Sequence, residues 1–169
     1  MKTLILLLTS INLLANPMDS LVLKTKAGEI KLKDLKGKTV LFVNIATQCG
    51  YTPQLTGLER LYKKYKSKGF TVIGIPSNEF GSQSPEDDKG IEKFCMLNHG
   101  VSFPLSKKTI VLGDKKNSVI KYLISKTNDK EIRWNFEKFL MTKKGHIARF
   151  GSAIKPESEE IVKMIEKSL

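Results

Sequence analysis

Two nearly continuous apolar runs, residues 40–46 and 70–75, flank a stretch of helical periodicity, and nothing else in this sequence restricts the fold as much. Strands that are apolar on both faces need a covering layer on each side, which is the situation of a parallel pair inside a sheet. In the intervening segment Leu55, Leu58, Leu61, Tyr62 and Tyr65 share one helical face, Pro53 suits the first turn, Thr52 is expected to cap it, and Gly69 stops it. Around this unit, Leu21-Val22-Leu23 and Ile30-Lys31-Leu32 predict a short hairpin turning at Ala27-Gly28. Ile91, Phe94, Cys95 and Leu97 predict a second, shorter helix ending at Gly100, and residues 119–124 a third. Residues 137–150 form a hairpin turning at Lys143-Lys144-Gly145, and Ile161, Met164, Ile165 and Leu169 line a closing helix. A parallel unit followed by an antiparallel hairpin gives an α/β protein: a mixed central sheet flanked by helices, as in thioredoxin-like domains.

A chain of 169 residues, 40% hydrophobic and 27% charged, fits one compact domain, expected over residues 16–169. The beginning reads differently. Met1-Lys2, the apolar stretch 4–14 and Ala15-Asn16-Pro17 have the basic, apolar, small-residue order of a secretory signal peptide, expected over 1–15. The run is shorter than the roughly 20 residues of a membrane span. The expected location is therefore periplasmic or secreted, with the cytoplasm as the alternative, since Leu13 is larger than export peptidases prefer two residues before the cut. The formal charge is +12. Its lysines and arginines are spread over Arg60, Lys63, Lys64, Lys66, Lys68, Lys107-Lys108, Lys115-Lys116 and Lys143-Lys144, without zinc spacing, a helix-turn-helix signal or an RNP-type aromatic run. That pattern is a solvated face and not a nucleic-acid site, with weak contact to an anionic membrane surface or an acidic partner as an intermediate reading. His99 and His146 lack metal-type spacing, so no metal and no organic cofactor is expected.

The chain has two cysteines. Cys49 lies where the first strand of the parallel unit meets its helix, so helix N-terminal amides can stabilise a thiolate there; a buried, inert thiol fits the placement equally well. The position three residues on is Thr52, which excludes dithiol exchange within that turn. Cys95 is either a core residue on an apolar helix face or a thiol that condenses with oxidised Cys49. The second role requires residues 87–98 to unfold locally, and the start Glu86-Asp87-Asp88-Lys89-Gly90 looks weakly helical.

Three blocks in order resemble the glutathione peroxidase family: Asn44-Ile45-Ala46-Thr47-Gln48-Cys49-Gly50-Tyr51-Thr52, then Pro76-Ser77-Asn78-Glu79-Phe80-Gly81-Ser82-Gln83, then Trp134-Asn135-Phe136-Glu137-Lys138-Phe139, with Phe103-Pro104 before the last. The similarity runs from about Leu21 to the C-terminus. It implies that Cys49 is the peroxidatic nucleophile, Gln83 and Asn135 hydrogen-bonding amides, and Trp134 an indole N–H donor. A thiolate attacks the terminal peroxide oxygen, and the leaving alkoxide needs donors that do not titrate. Cys95, preceded by Phe94, matches the resolving cysteine of thioredoxin-dependent members. Cysteine in place of selenocysteine implies slower chemistry, and Ser77 stands where many relatives carry another cysteine. Glu79 and Ser84 replace a common Gln and Glu, leaving the local loop network open. The tetramer-building insertion of some animal members is missing, so the resemblance implies a monomer whose accessible site admits bulky organic or lipid hydroperoxides.

The resulting expectation is a thiol peroxidase: Cys49 becomes a sulfenic acid, Cys95 closes a disulfide, and a thioredoxin-like dithiol protein, or glutathione, restores both thiols. Two other classes stay open on sequence alone. One is a redox relay using the same cysteines to oxidise a partner protein; the other is a basic binding module in which the thiols are incidental.

Overall fold

The computed structural model describes residues 20–169; the signal-peptide reading of 1–15 lies outside them. A hairpin of β1 (Val22–Thr25) and β2 (Gly28–Lys31) precedes β3 (Thr39–Ile45), α1 (Gln54–Tyr65), β4 (Phe70–Pro76), α2 (Asp88–His99), α3 (Ser118–Ser125), β5 (Lys138–Met141), β6 (Ile147–Phe150) and α4 (Glu159–Ser168). The main sheet has the order β4-β3-β5-β6. β3 pairs in parallel with β4 and antiparallel with β5, so the expected mixed, thioredoxin-like sheet is present.

All seven residues of β3 are buried, as its nearly unbroken apolar character requires. Alternation along the strand splits the core in two. Leu41, Val43 and Ile45 meet Leu55, Leu58 and Leu61 of α1, Ile91 and Cys95 of α2, and Ile161 and Ile165 of α4. Val40 and Phe42 face Leu23 of the hairpin and Val119, Ile120 and Leu123 of α3. Each such fully buried side chain contributes about 1.5–3 kcal/mol.

At Gly74 of β4 a further segment crosses the sheet edge. Its N–H donates to Pro104 (3.0 Å), and its carbonyl accepts from Ser106 (2.9 Å). A Cβ there would lie 2.5 Å from Leu105 Cδ2, so a larger residue would have to push that side chain aside. This contact lays residues 101–106 beside the end of α2.

One local expectation needs correction. Thr52 does not cap α1, which starts at Gln54 with Pro53 before it; its hydroxyl is used elsewhere, as described below. The start of α2, weakly helical by its residues, is capped: the Asp87 side chain accepts from Gly90 N–H at 2.7 Å, and Gly100 closes the helix in a left-handed conformation (φ 66°). The β5–β6 hairpin turns at residues 142–146 as the Lys-Lys-Gly sequence predicts. Among the described residues no helix is long and apolar enough to cross a membrane.

Candidate active site

β3 delivers its chain end to the surface, and Cys49 sits in the turn between β3 and α1, 7% exposed. Thr52 holds that turn: its Oγ1 accepts the Cys49 N–H (3.0 Å) and donates to the Ala46 carbonyl (2.9 Å). The residue that removes the second thiol of a Cys-x-x-Cys turn therefore sets the backbone of the first. Tyr51 N–H approaches Sγ at 3.4 Å, the direction from which a helix-start amide meets a thiolate.

The loop after β4 closes on this turn. The Gln83 carbonyl accepts from the N–H groups of both Thr47 (3.1 Å) and Gln48 (2.9 Å), the residues just before the cysteine. The Gln83 side-chain oxygen accepts from Asn135 Nδ2 at 3.0 Å, which leaves the Gln83 NH2 as the end free to donate to a substrate. Asn135 is fully buried, and its Oδ1 has no protein partner. Trp134 is 39% exposed, so the chain's one tryptophan is not a core anchor; its ring leans on Phe80 (5.7 Å, 53°). The turn that holds Cys49, the loop that holds Gln83 and the segment that holds Trp134 and Asn135 are thus linked by backbone and amide bonds.

Sequence reasoning missed two residues that hold the third loop. Asn44, the polar interruption in β3, donates from Nδ2 to the Trp134 carbonyl (3.0 Å), and its own carbonyl accepts from Phe136 N–H (2.6 Å). A lone polar residue in an otherwise apolar central strand is the signal that could have found it. Phe136 is held in the left-handed region at φ 65°, a strain of about 1–3 kcal/mol that these bonds and the next maintain.

Lys138 of β5 is the second: it has no exposure, and its Nζ donates to the Phe136 (2.8 Å) and Ser152 (3.3 Å) carbonyls. Burial pushes its ammonium down to about 7, against a smaller upward pull from Glu137. The unfolded chain keeps that proton to roughly pH 10.4, so between the two values the unfolded state binds more protons and stability rises with pH. Lys138→Met is expected to flatten this rise, bringing urea midpoints measured at about pH 7 and about pH 9 closer together than in the parent.

Cys95 lies apart from this network. It is a free thiol with no exposure on the core face of α2, pushed up to about 12, first by burial and then by the Glu86 carboxylate. A thiol in that state is no nucleophile until the helix opens. The loop network left open at Ser84 and Glu79 is also resolved. Ser84 Oγ accepts from Thr47 N–H (3.3 Å), and Glu79 accepts from Val111 N–H (3.1 Å). Ser77 is buried with an unpartnered hydroxyl. Among the described residues no three His, Cys, Asp or Glu side chains gather as a metal site would.

The family model for glutathione peroxidase matches residues 18–124. The chain is 49% identical over 152 residues to glutathione peroxidase-like peroxiredoxin 2 of Saccharomyces cerevisiae, an alignment covering 85% of this chain and 94% of that protein. It is 41% identical over 150 residues to hydroperoxy fatty acid reductase gpx1 of Synechocystis, covering 83% and 88%. Among solved structures, that of Trgpx in apo form superposes with a TM-score of 0.69 at 31% identity, covering 91% of this chain and 96% of that one.

Proposed function

The chain belongs to the glutathione peroxidase family and is a thiol peroxidase, and from that premise we propose that Cys49 is its peroxidatic residue and Cys95 its resolving residue. The observation that carries the assignment is the hydrogen bond between Asn135 Nδ2 and Gln83 Oε1, in a loop whose carbonyl holds the two amides before Cys49. It leaves the Gln83 NH2 available as a neutral donor, and the half-exposed Trp134 indole is the second such donor on the neighbouring segment.

In the first step the Cys49 thiolate attacks the terminal peroxide oxygen. The O–O bond breaks, sulfur is oxidised to the sulfenic acid, and the alkoxide, met by the Gln83 and Trp134 donors, leaves as the alcohol after taking up a proton. In the second step the Cys95 sulfur attacks Cys49 Sγ; the S–O bond breaks and the hydroxyl leaves with the Cys95 proton as water. A thioredoxin-like dithiol then reduces the bridge and is itself oxidised. Accessibility of Trp134, together with the fatty-acid hydroperoxide named for the Synechocystis relative, supports organic and lipid hydroperoxides as substrates.

Mass measurement of the native protein before and after one equivalent of cumene hydroperoxide tests this reading. The expected product is lighter by two hydrogens, with a peptide linking 49 and 95, and returns to the starting mass with reduced thioredoxin. A stable addition of one oxygen, unaffected by thioredoxin, would reject the resolving role. The same spectrum reads the mature N-terminus, where the order of residues 1–17 supports export with cleavage after Ala15.

A further inference from the structure

Glu86 has no part in the chemistry above, yet both of its carboxylate oxygens are engaged by the two residues that precede Cys49. Thr47 Oγ1 donates to Oε2 at 2.6 Å, and Gln48 Nε2 donates to Oε1 at 3.0 Å. Burial alone would raise this carboxyl; the bonds from Thr47 and Gln48 and the charge of Lys108 outweigh it and hold the group below the usual range. Glu86 also immediately precedes Asp87, the cap of α2. Its side chain folds over the first turn of that helix, so closely that a Cβ on Gly90 would lie 2.9 Å from Glu86 Cβ. One side chain therefore joins the peroxidatic turn to the start of the helix that buries Cys95.

The other polar ties of α2 are exposed, among them the bond from Lys108 N–H to Asp88 Oδ1 (2.7 Å). Lys26–Glu92 (2.9 Å) is an exposed ion pair, and Thr56 meets His99 at 3.1 Å on the surface. Between α2 and the β1–β2 hairpin lies a cavity of about 610 Å³, lined by Ile30, Ile91, Met96 and Phe103, so that side of the helix is not tightly packed. Beyond the core burial of Ile91 and Cys95, the Glu86 side chain is thus the polar tie that joins this helix to the Cys49 turn.

We propose that Glu86 is a positioning residue for the second step, latching the Cys49 turn to the first turn of α2 so that Cys95 leaves the core only when this carboxylate lets go. The proposal rests on Cys95 being the resolving thiol. The bonds are charge-assisted but half-exposed, so removing them should ease helix opening by about tenfold in rate. A longer-lived sulfenic acid is the consequence of the latch, and with it a greater chance of a second oxidation to the sulfinic acid.

The test compares the full chain with Glu86→Gln, which keeps size and loses the charge, and Glu86→Ala. After rapid mixing with one equivalent of hydrogen peroxide and quenching by alkylation, mass spectrometry separates the sulfenic acid from the disulfide. Closure is expected to be about tenfold faster in Glu86→Ala, with Glu86→Gln intermediate, less sulfinic acid at excess peroxide, and faster amide exchange over residues 88–99. In a Gln48→Ala background the Glu86→Ala gain should shrink, because part of the latch is already gone. Closure at the parental rate or slower in both variants overturns the proposal while leaving Cys95 as the resolving thiol. A parent that forms no bridge overturns both.

Discussion

Cys49→Ser is expected to abolish hydroperoxide reduction, by on the order of ten-thousand-fold or more, with the fold unchanged. The serine hydroxyl is not ionised at neutral pH, and no general base lies in the network of Gln83, Asn135 and Trp134, all of them neutral groups. Oxygen for sulfur at a 7% exposed position alters little volume, and the bonds from Cys49 N–H to Thr52 and from Thr52 to Ala46 are untouched by it. Consumption of cumene hydroperoxide with thioredoxin and its reductase measures the loss, and a thermal melt within a few degrees of the parent separates it from unfolding. Activity that survives the substitution would remove the proposed centre of the chemistry. A redox relay shares this dependence on Cys49, and is distinguished by poor turnover with thioredoxin and a lasting mixed disulfide with one partner.

Cys95→Ser is expected to spare the first turnover and stop the second. One equivalent of peroxide is still consumed, because Cys49 and its donors lie on other loops, but the sulfenic acid has no internal partner. Thioredoxin-driven turnover should fall by roughly a hundredfold or more, and excess peroxide should carry Cys49 to the sulfinic acid. Serine places a hydroxyl at a site with no exposure, at a cost of about 1–3 kcal/mol if unpaired, although the preceding helical turn offers a carbonyl. Cys95→Ala avoids that hydroxyl and should show the same burst. An undiminished steady state in both variants would show that thioredoxin reduces the sulfenic acid directly and would reject the resolving role of Cys95.

The elements legible in the one-dimensional pattern are those whose periodicity is unambiguous. The double-sided strand β3, the amphipathic helices α1 and α4, and the β5–β6 hairpin lie where apolar spacing places them. The candidate site residues come instead from the blocks around Cys49, Gln83 and Trp134, which carry the family resemblance. Thr52 misleads because a threonine before a helix is ordinarily a cap; here its hydroxyl has two nearer partners, Cys49 N–H and the Ala46 carbonyl. The start of α2 has low intrinsic propensity in its charged, glycine-containing sequence, and the Asp87 cap and the fit of Gly90 under Glu86 are added only by folding.

Spacing and residue type, then, mark the central strands and the amphipathic helices, since these follow from local periodicity, whereas the candidate reactive side chains are marked only by the resemblance of three blocks to a known family. Tertiary structure alone decides which carbonyl Asn44 grips, that Lys138 reaches Ser152, and that Glu86 spans from the start of α2 to Thr47 and Gln48. These bonds join residues between 14 and 90 positions apart in the chain. Such partners meet only when the sheet has brought three loops to one end, because a hydrogen bond is decided by sub-ångström distance and direction that no sequence periodicity encodes.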